Sequence, residues 1–196
     1  MTSCYNINKP KPTNYEEIKK SYKEHLSLYE KNLTSHFPDI DSGECNQFSV
    51  NNADTKASNF INLVMSFSDK KIKDIETYAN KYAIKKYHFT DNCLMLLNYS
   101  PEIYENNSIF KLNMCQKLSP DMLPVSNFVF CEDVSIISKK YIKRATIYVL
   151  GAEKGKFLSD DTLSTNGVGL PEGWEHGYTR GMAIYSNTVV YWLELW

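Results

Sequence analysis

From residue 15 onward, apolar positions recur at helical spacing. Tyr15, Ile18, Tyr22, Leu26, Tyr29 and Leu33 form one stripe, with Lys and Glu filling the positions between. Asn14 precedes the stripe as an N-cap, Glu17 stands three positions on in capping-box spacing, and Glu16 adds charge to the first turn. The helix is expected to stop before Pro38. Residues 38–58 are polar and turn-rich. From Phe60 the period shortens to two. Ile61, Leu63, Met65 and Phe67 point one way and Asn62 and Ser66 the other, which predicts a half-buried strand. Ser68 then caps a second helix, with Ile72, Ile75, Ala79 and Tyr82 on the buried side and Lys70, Lys71 and Lys73 on the wet side.

Residues 84–89 and 93–99 are strand candidates joined by Thr90-Asp91-Asn92, a turn of hairpin length. Residues 100–140 are irregular and punctuated by Pro101, Pro120 and Pro124, with a short strand possible in pattern at Phe128–Cys131. Residues 145–152 read as a strand. The chain continues through 182–186 and 189–196, a hairpin turning at Asn187, in which Val189-Val190-Tyr191-Trp192-Leu193 is apolar on both faces, as an interior strand is. Together these elements predict an α+β fold: a flexible lead over 1–13, then a single domain over 14–196. That domain holds a mainly antiparallel sheet of about five or six strands and two helices. The expected core includes Ile61, Leu63, Met65, Phe67, Ile72, Ile75, Leu94, Leu96, Ile147, Val149, Val190 and Trp192.

Composition narrows the class. With 196 residues, 42% hydrophobic and 13% aromatic, the chain can bury a core and is not a disordered polypeptide. No apolar run is long enough to span a membrane as a helix. A net charge of −1 supplies no global field for a polyanion. The cations are Lys save for Arg144 and Arg180, and Lys lacks the fork that reads bases and phosphates, so nucleic acid is not an expected partner. Residues 139–156 are locally basic and 157–196 locally acidic. That asymmetry reads either as a solvated face or as a dock for an acidic partner.

Five cysteines, Cys4, Cys45, Cys93, Cys115 and Cys131, contain no C-x-x-C pair, which removes the main support for a metal finger or a thioredoxin-like site. Two readings stand. In one, Cys4 carries a lipid, the polar Pro-containing stretch Tyr5–Thr13 is its tether, and the other four cysteines form two disulfides. In the other the protein is reduced and cytosolic, with Cys93 and Cys131 as ordinary buried hydrophobes. Only three residues precede Cys4, so the charged and apolar parts of a signal peptide are not in the sequence.

Candidate chemistry gathers in one segment. Residues 166–181 hold five of the eight glycines, Gly167, Gly169, Gly173, Gly177 and Gly181, interleaved with Trp174, Glu175, His176, Tyr178 and Arg180. Glycine permits positive φ and close backbone approach, so such a loop can wrap a ligand. Trp174 and Tyr178 are expected to be partly exposed as binding anchors, with Arg180 supplying directional charge. The competing reading makes the rings a plug at the end of the sheet. Catalytic signatures are missing: there is no G-x-S-x-G, no P-loop and no H-E-x-x-H, and no His or Cys spacing of a metal site. No catalytic residue, cofactor or metal is therefore assigned.

The segment Pro171-Glu172-Gly173-Trp174-Glu175-His176-Gly177-Tyr178, followed by Arg180-Gly181-Met182-Ala183-Ile184 and the closing Tyr191-Trp192…Trp196, resembles small, functionally uncharacterised lipoprotein-like proteins of Gram-negative gut bacteria. The likeness covers the last quarter of the chain and its cysteine-led start. It implies a cell-envelope or secreted address, with the membrane reached only through a lipid at Cys4, and it carries no activity and no catalytic residue. The expected function is a non-enzymatic binding or accessory protein of the bacterial cell envelope, acting on a protein or glycan partner through Trp174, Glu175, His176, Tyr178 and Arg180. The alternatives are a small hydrolase or transferase built on the 166–181 loop, and a cytosolic interaction or immunity-type protein.

Overall fold

Period-two and continuously apolar stretches pair into a single large sheet, and the helix-period stretches cover one of its faces. The computed structural model describes residues 2–3, 15–51, 58–88, 91, 94–97, 121–126, 144–163, 170 and 172–196. The helices are α1 (Tyr15–Ser27), α2 (Lys31–Thr34) and α3 (Asp69–Tyr82), with a 3-10 turn at Ile40–Ser42. The strands are β1 (Thr2–Ser3), β2 (Glu44–Asn51), β3 (Asn59–Ser66), β4 (Lys85–His88), β5 (Met95–Leu96), β6 (Pro124–Val125), β7 (Thr146–Lys154), β8 (Gly177–Tyr185) and β9 (Thr188–Leu195). Seven strands lie in the order β1-β2-β3-β9-β8-β7-β4, every neighbouring pair antiparallel, while β5 and β6 form a small parallel pair. Apart from the two-residue β1, this is the mainly antiparallel α+β sheet that the hydrophobic pattern predicts.

Alternation along the central strands sorts the core into two faces. Val189 and Tyr191 of β9, Met182 and Ile184 of β8, and Ile61, Leu63 and Met65 of β3 meet Ile18 and Tyr22 of α1 and Ile72, Ile75 and Ala79 of α3. Farther along this helix face, Leu193 and Leu195 pack on Leu33 of α2. On the opposite face Val190, Trp192, Ala183, Ile147 and Val149 are covered by Tyr87, Leu94 and Val125. Polar links fix that cover in place. The Tyr87 hydroxyl accepts from the Leu123 N–H at 2.9 Å, the Thr179 hydroxyl donates to the Pro124 carbonyl at 2.7 Å, and the Ser126 hydroxyl donates to the buried Glu194 carboxylate at 2.5 Å. On the helix face, Tyr15 donates to Asp41 at 2.7 Å, and Lys19 pairs with the same carboxylate, pinning α1 to the 3-10 turn. Every residue of the expected core is buried except Leu96, which is partly buried.

Several local expectations are corrected. The first helix does not run on to Pro38. It ends at Ser27 and restarts as α2, which turns Leu33 onto the sheet and leaves Leu28 exposed. The polar stretch 38–58 contains β2, whose alternation is broken by a bulge between Cys45 and Gln47 that puts Cys45 and Phe48 on the same helix-side core. Residues 85–88 do not form a hairpin with 95–96. They pair with β7, and Asp91 closes a turn by accepting from the His88 N–H at 2.8 Å. Thr2 and Ser3, expected in a flexible lead, pair with Phe48 and Gln47. Asn14, the rest of that lead and Phe128–Cys131 lie outside the described residues. Cys45 is buried and disulfide-bonded, and Cys4, Cys93, Cys115 and Cys131 lie outside the described residues.

Candidate functional site

β8 begins at Gly177, so the second half of the glycine-rich segment is strand rather than loop, and period two dictates where its side chains go. Tyr178 and Arg180 fall on the same face as Met182 and Ile184, the helix face. Gly177, Thr179, Gly181 and Ala183 fall on the other. The five candidate residues are thereby divided.

Trp174 lies with the opposite face. It is 7% exposed, its ring centroid is 6.2 Å from that of Trp196, its carbonyl accepts the Trp196 indole N–H at 2.9 Å, and Met95, Leu97 and Met122 complete the cluster. Lys154 lies over the ring with its ammonium 5.3 Å from the centroid. The expectation of an exposed Trp174 is therefore corrected: the ring closes the end of the sheet.

The glycines also serve packing. A Cβ on Gly181 would stand 2.2 Å from the Tyr148 carbonyl oxygen and 2.5 Å from the Trp192 ring. A Cβ on Gly177 would stand 2.6 Å from the Glu153 carbonyl oxygen. The Gly177 N–H bonds the Trp196 carbonyl at 3.2 Å, so it faces no ligand. Among the described glycines of the run, Gly173 has left-handed backbone, at φ +87°. Gly167, Gly169 and Pro171 lie outside the described residues.

Glu175 is exposed, and its carboxylate accepts the Gly173 N–H at 2.9 Å. That bond, then its own N–H, holds its pKa below the usual carboxylate value. His176 is half-buried. Its carbonyl accepts the Gly155 N–H, and its Nδ1 is buried with no hydrogen bond among the described residues. Tyr178 is half-buried against Leu193, Leu195 and Leu33, and its ring meets Phe157 edge-on, with centroids 4.7 Å apart. Phe157 is 37% exposed and was not singled out in the sequence, where it sits among the polar residues 153–162.

Arg180 lies between Leu193 of β9 and Gly151 of β7 in register. Its Nε is 2.8 Å from where a Gly151 Cβ would stand, so the side chain crosses β7 over the missing side chain. Its charge also reaches His36, a 5%-exposed residue just after α2 whose Nε2–H donates to the Trp192 carbonyl at 2.9 Å. Burial above all, and then Arg180, push the His36 pKa down to about 3, against the opposing pull of the Trp192 and Leu33 carbonyls.

The Glu175 carboxylate is engaged by backbone, Tyr178 is turned to the helix face, and neither is hydrogen-bonded to the His176 ring among the described residues. No cluster of three His, Cys, Asp or Glu side chains fit to hold a metal occurs among the described residues, and no helix there is long and apolar enough to cross a membrane. No protein-family model, characterised protein or solved structure matches the chain.

Proposed function

We propose that the chain is a non-enzymatic binding or accessory protein of the cell envelope, acting on a protein or glycan partner. Its binding surface is the β7–β8 end of the sheet, where Tyr178, Arg180 and Phe157 lie together and Glu175 and His176 flank them. The observation that carries this reading is the alternation along β8. It puts Tyr178 and Arg180 side by side on one face, while the Glu175 carboxylate is taken up by the Gly173 N–H. Trp174 contributes from beneath, as the plug that holds the strand ends in register. The disulfide at Cys45 supports an oxidising compartment, and with it the envelope address and the pairing of further cysteines.

Two measurements test the reading. A photo-reactive phenylalanine analogue at position 157, in cells expressing the chain, should capture a partner of defined mass. The adduct should vanish when Tyr178→Ala and Arg180→Ala are combined, and a probe at Lys70 on the exposed side of α3 should give none. Equal capture from both probe positions would overturn the assigned surface. A thiol count on the unreduced, denatured protein should read at most three, since one disulfide removes two of five cysteines. A count of five would return the chain to the cytosolic, reduced reading.

A further inference from the structure

Three Lys or Arg side chains among the described residues are half-buried: Lys19, Lys85 and Arg180. Lys19 is paired with Asp41, and Lys85 with Asp121 at 2.6 Å. Arg180 has no hydrogen bond and no ion pair among the described residues. A guanidinium partly withdrawn from water ordinarily finds a counter-charge, because loss of hydration without one is unfavourable. The sequence also spends Arg sparingly, at positions 144 and 180 alone.

The surroundings state what would complete the site. Arg180 lies over Gly151, with Leu193 as its neighbour on β9, and Tyr178 stands two residues away on the same face, about 7 Å along the strand. Phe157 extends that apolar side, edge-on to Tyr178 and open to solvent. Neither nearby lysine of the described residues adds positive charge: the Lys154 ammonium lies over Trp174 on the far face, and Lys156 is paired with Asp160 at 2.7 Å. Glu153, opposite Tyr178 in register, is exposed and makes no ion pair with Arg180. One fork-shaped cation beside two rings matches a single negative charge on a flat body. A phosphate dianion would call for several donors.

Resting on the binding reading above, we infer that Arg180 is a carboxylate-binding residue whose ligand is an organic acid carried on a ring, with the carboxylate on the guanidinium and the ring against Phe157 and Tyr178. Planar bidentate pairing is the reason for Arg at this position, and Lys does not reproduce it. Glu153 acts against the ligand as a like charge at the rim.

The test is a titration of the full chain, followed by NMR at the Arg180 Nε–H, with benzoate, glucuronate, acetate and inorganic phosphate as probes. The ring acids should shift the signal and bind at least tenfold more tightly than acetate or phosphate. Arg180→Lys should weaken the ring acids about tenfold. Phe157→Ala should reduce ring-acid binding to the level of acetate. Glu153→Gln should strengthen ring acids about two- to fivefold by removing the competing charge. Melting temperatures near the parent's establish that the variants fold. Absence of ring-acid binding, phosphate binding as tight as benzoate, or an unchanged affinity in Arg180→Lys would each overturn the inference. If the ring acids fail while the position-157 crosslink persists, the binding surface stands and the ligand class falls. If both fail, the surface itself is misassigned.

Discussion

His36 makes the stability of this protein depend on pH above the range where carboxylates titrate. The folded state holds the ring neutral, with Nε2–H on the Trp192 carbonyl and the pKa lowered to about 3, while the unfolded chain titrates at the ordinary value of 6.5. The sign follows from proton counting. Below pH 6.5 the unfolded state takes up a proton that the folded state refuses, so stability is full above that pH and falls as the solution is acidified. From these two values the loss between pH 7.5 and 5.0 is about 2 kcal/mol, rising towards about 5 kcal/mol below pH 3. Even the smaller figure is a large share of the 5–15 kcal/mol that typically holds a domain together. Urea denaturation at half-unit steps between pH 7.5 and 5.0 measures it, since the exposed acids Asp160 and Glu175 have lowered pKa values and contribute only at lower pH. His36→Gln keeps an amide donor for the Trp192 carbonyl and removes the titration, so its stability should be nearly flat over the same window. A parental slope of the same size in His36→Gln would refute the assignment.

Further predictions concern packing and the cover of the sheet. Gly181→Ala drives a methyl group into the Tyr148 carbonyl and the Trp192 ring, and should cost about 3 kcal/mol, read as a fall in urea midpoint with an unchanged slope. Trp174→Ala removes a buried indole from the Met95, Leu97, Met122 and Trp196 cluster. It should cost about 3–5 kcal/mol by thermal denaturation, and a loss below about 1 kcal/mol would restore the exposed-anchor reading. Tyr87→Phe deletes the hydroxyl that accepts the Leu123 N–H, and should cost about 1–3 kcal/mol in the same assay, with the segment around Leu123 the first to exchange its amide protons.

Elements that bury one clean face were legible in the residues. The strand at 59–66 alternates, α3 presents Ile72, Ile75 and Ala79 at helical spacing, and β9 is apolar on both sides because it lies between β3 and β8 in the middle of the sheet. β2 was not legible. Its bulge sets Cys45 and Phe48 on one face three residues apart, a helix-like spacing that breaks the strand's period of two, and Asn46, Gln47 and Ser49 dilute the rest. Pairing partners escaped for a different reason. Residues 85–88 look ready for a hairpin with the next apolar stretch, yet their partner is β7, and no local signal encodes a pairing about sixty residues away. The site shows the same division. Tyr178 and Arg180 were identifiable as unusual chemistry, but the interleaved glycines read as ligand cradle when two of them make room for carbonyls and tryptophan rings. Phe157 and Gly151 acquire meaning only from what β8 brings beside them.

The strand order carries a temporal consequence. β9 is the sole bridge between the group β1-β2-β3 and the group β8-β7-β4, and it is the strand farthest along the chain. During synthesis β2 and β3 are made long before their partner, whereas β8 and β9 follow each other across the turn at Ser186–Asn187 and are made together. Closing β3 against β9 then links Asn59–Ser66 with residues well over a hundred positions downstream, a topology that folds slowly for its size. The β3 edge is therefore open through most of synthesis, from Ser66 until β9 has been made. An unpaired strand edge of that kind is a template for pairing with other chains, so the long wait exposes β3 to association.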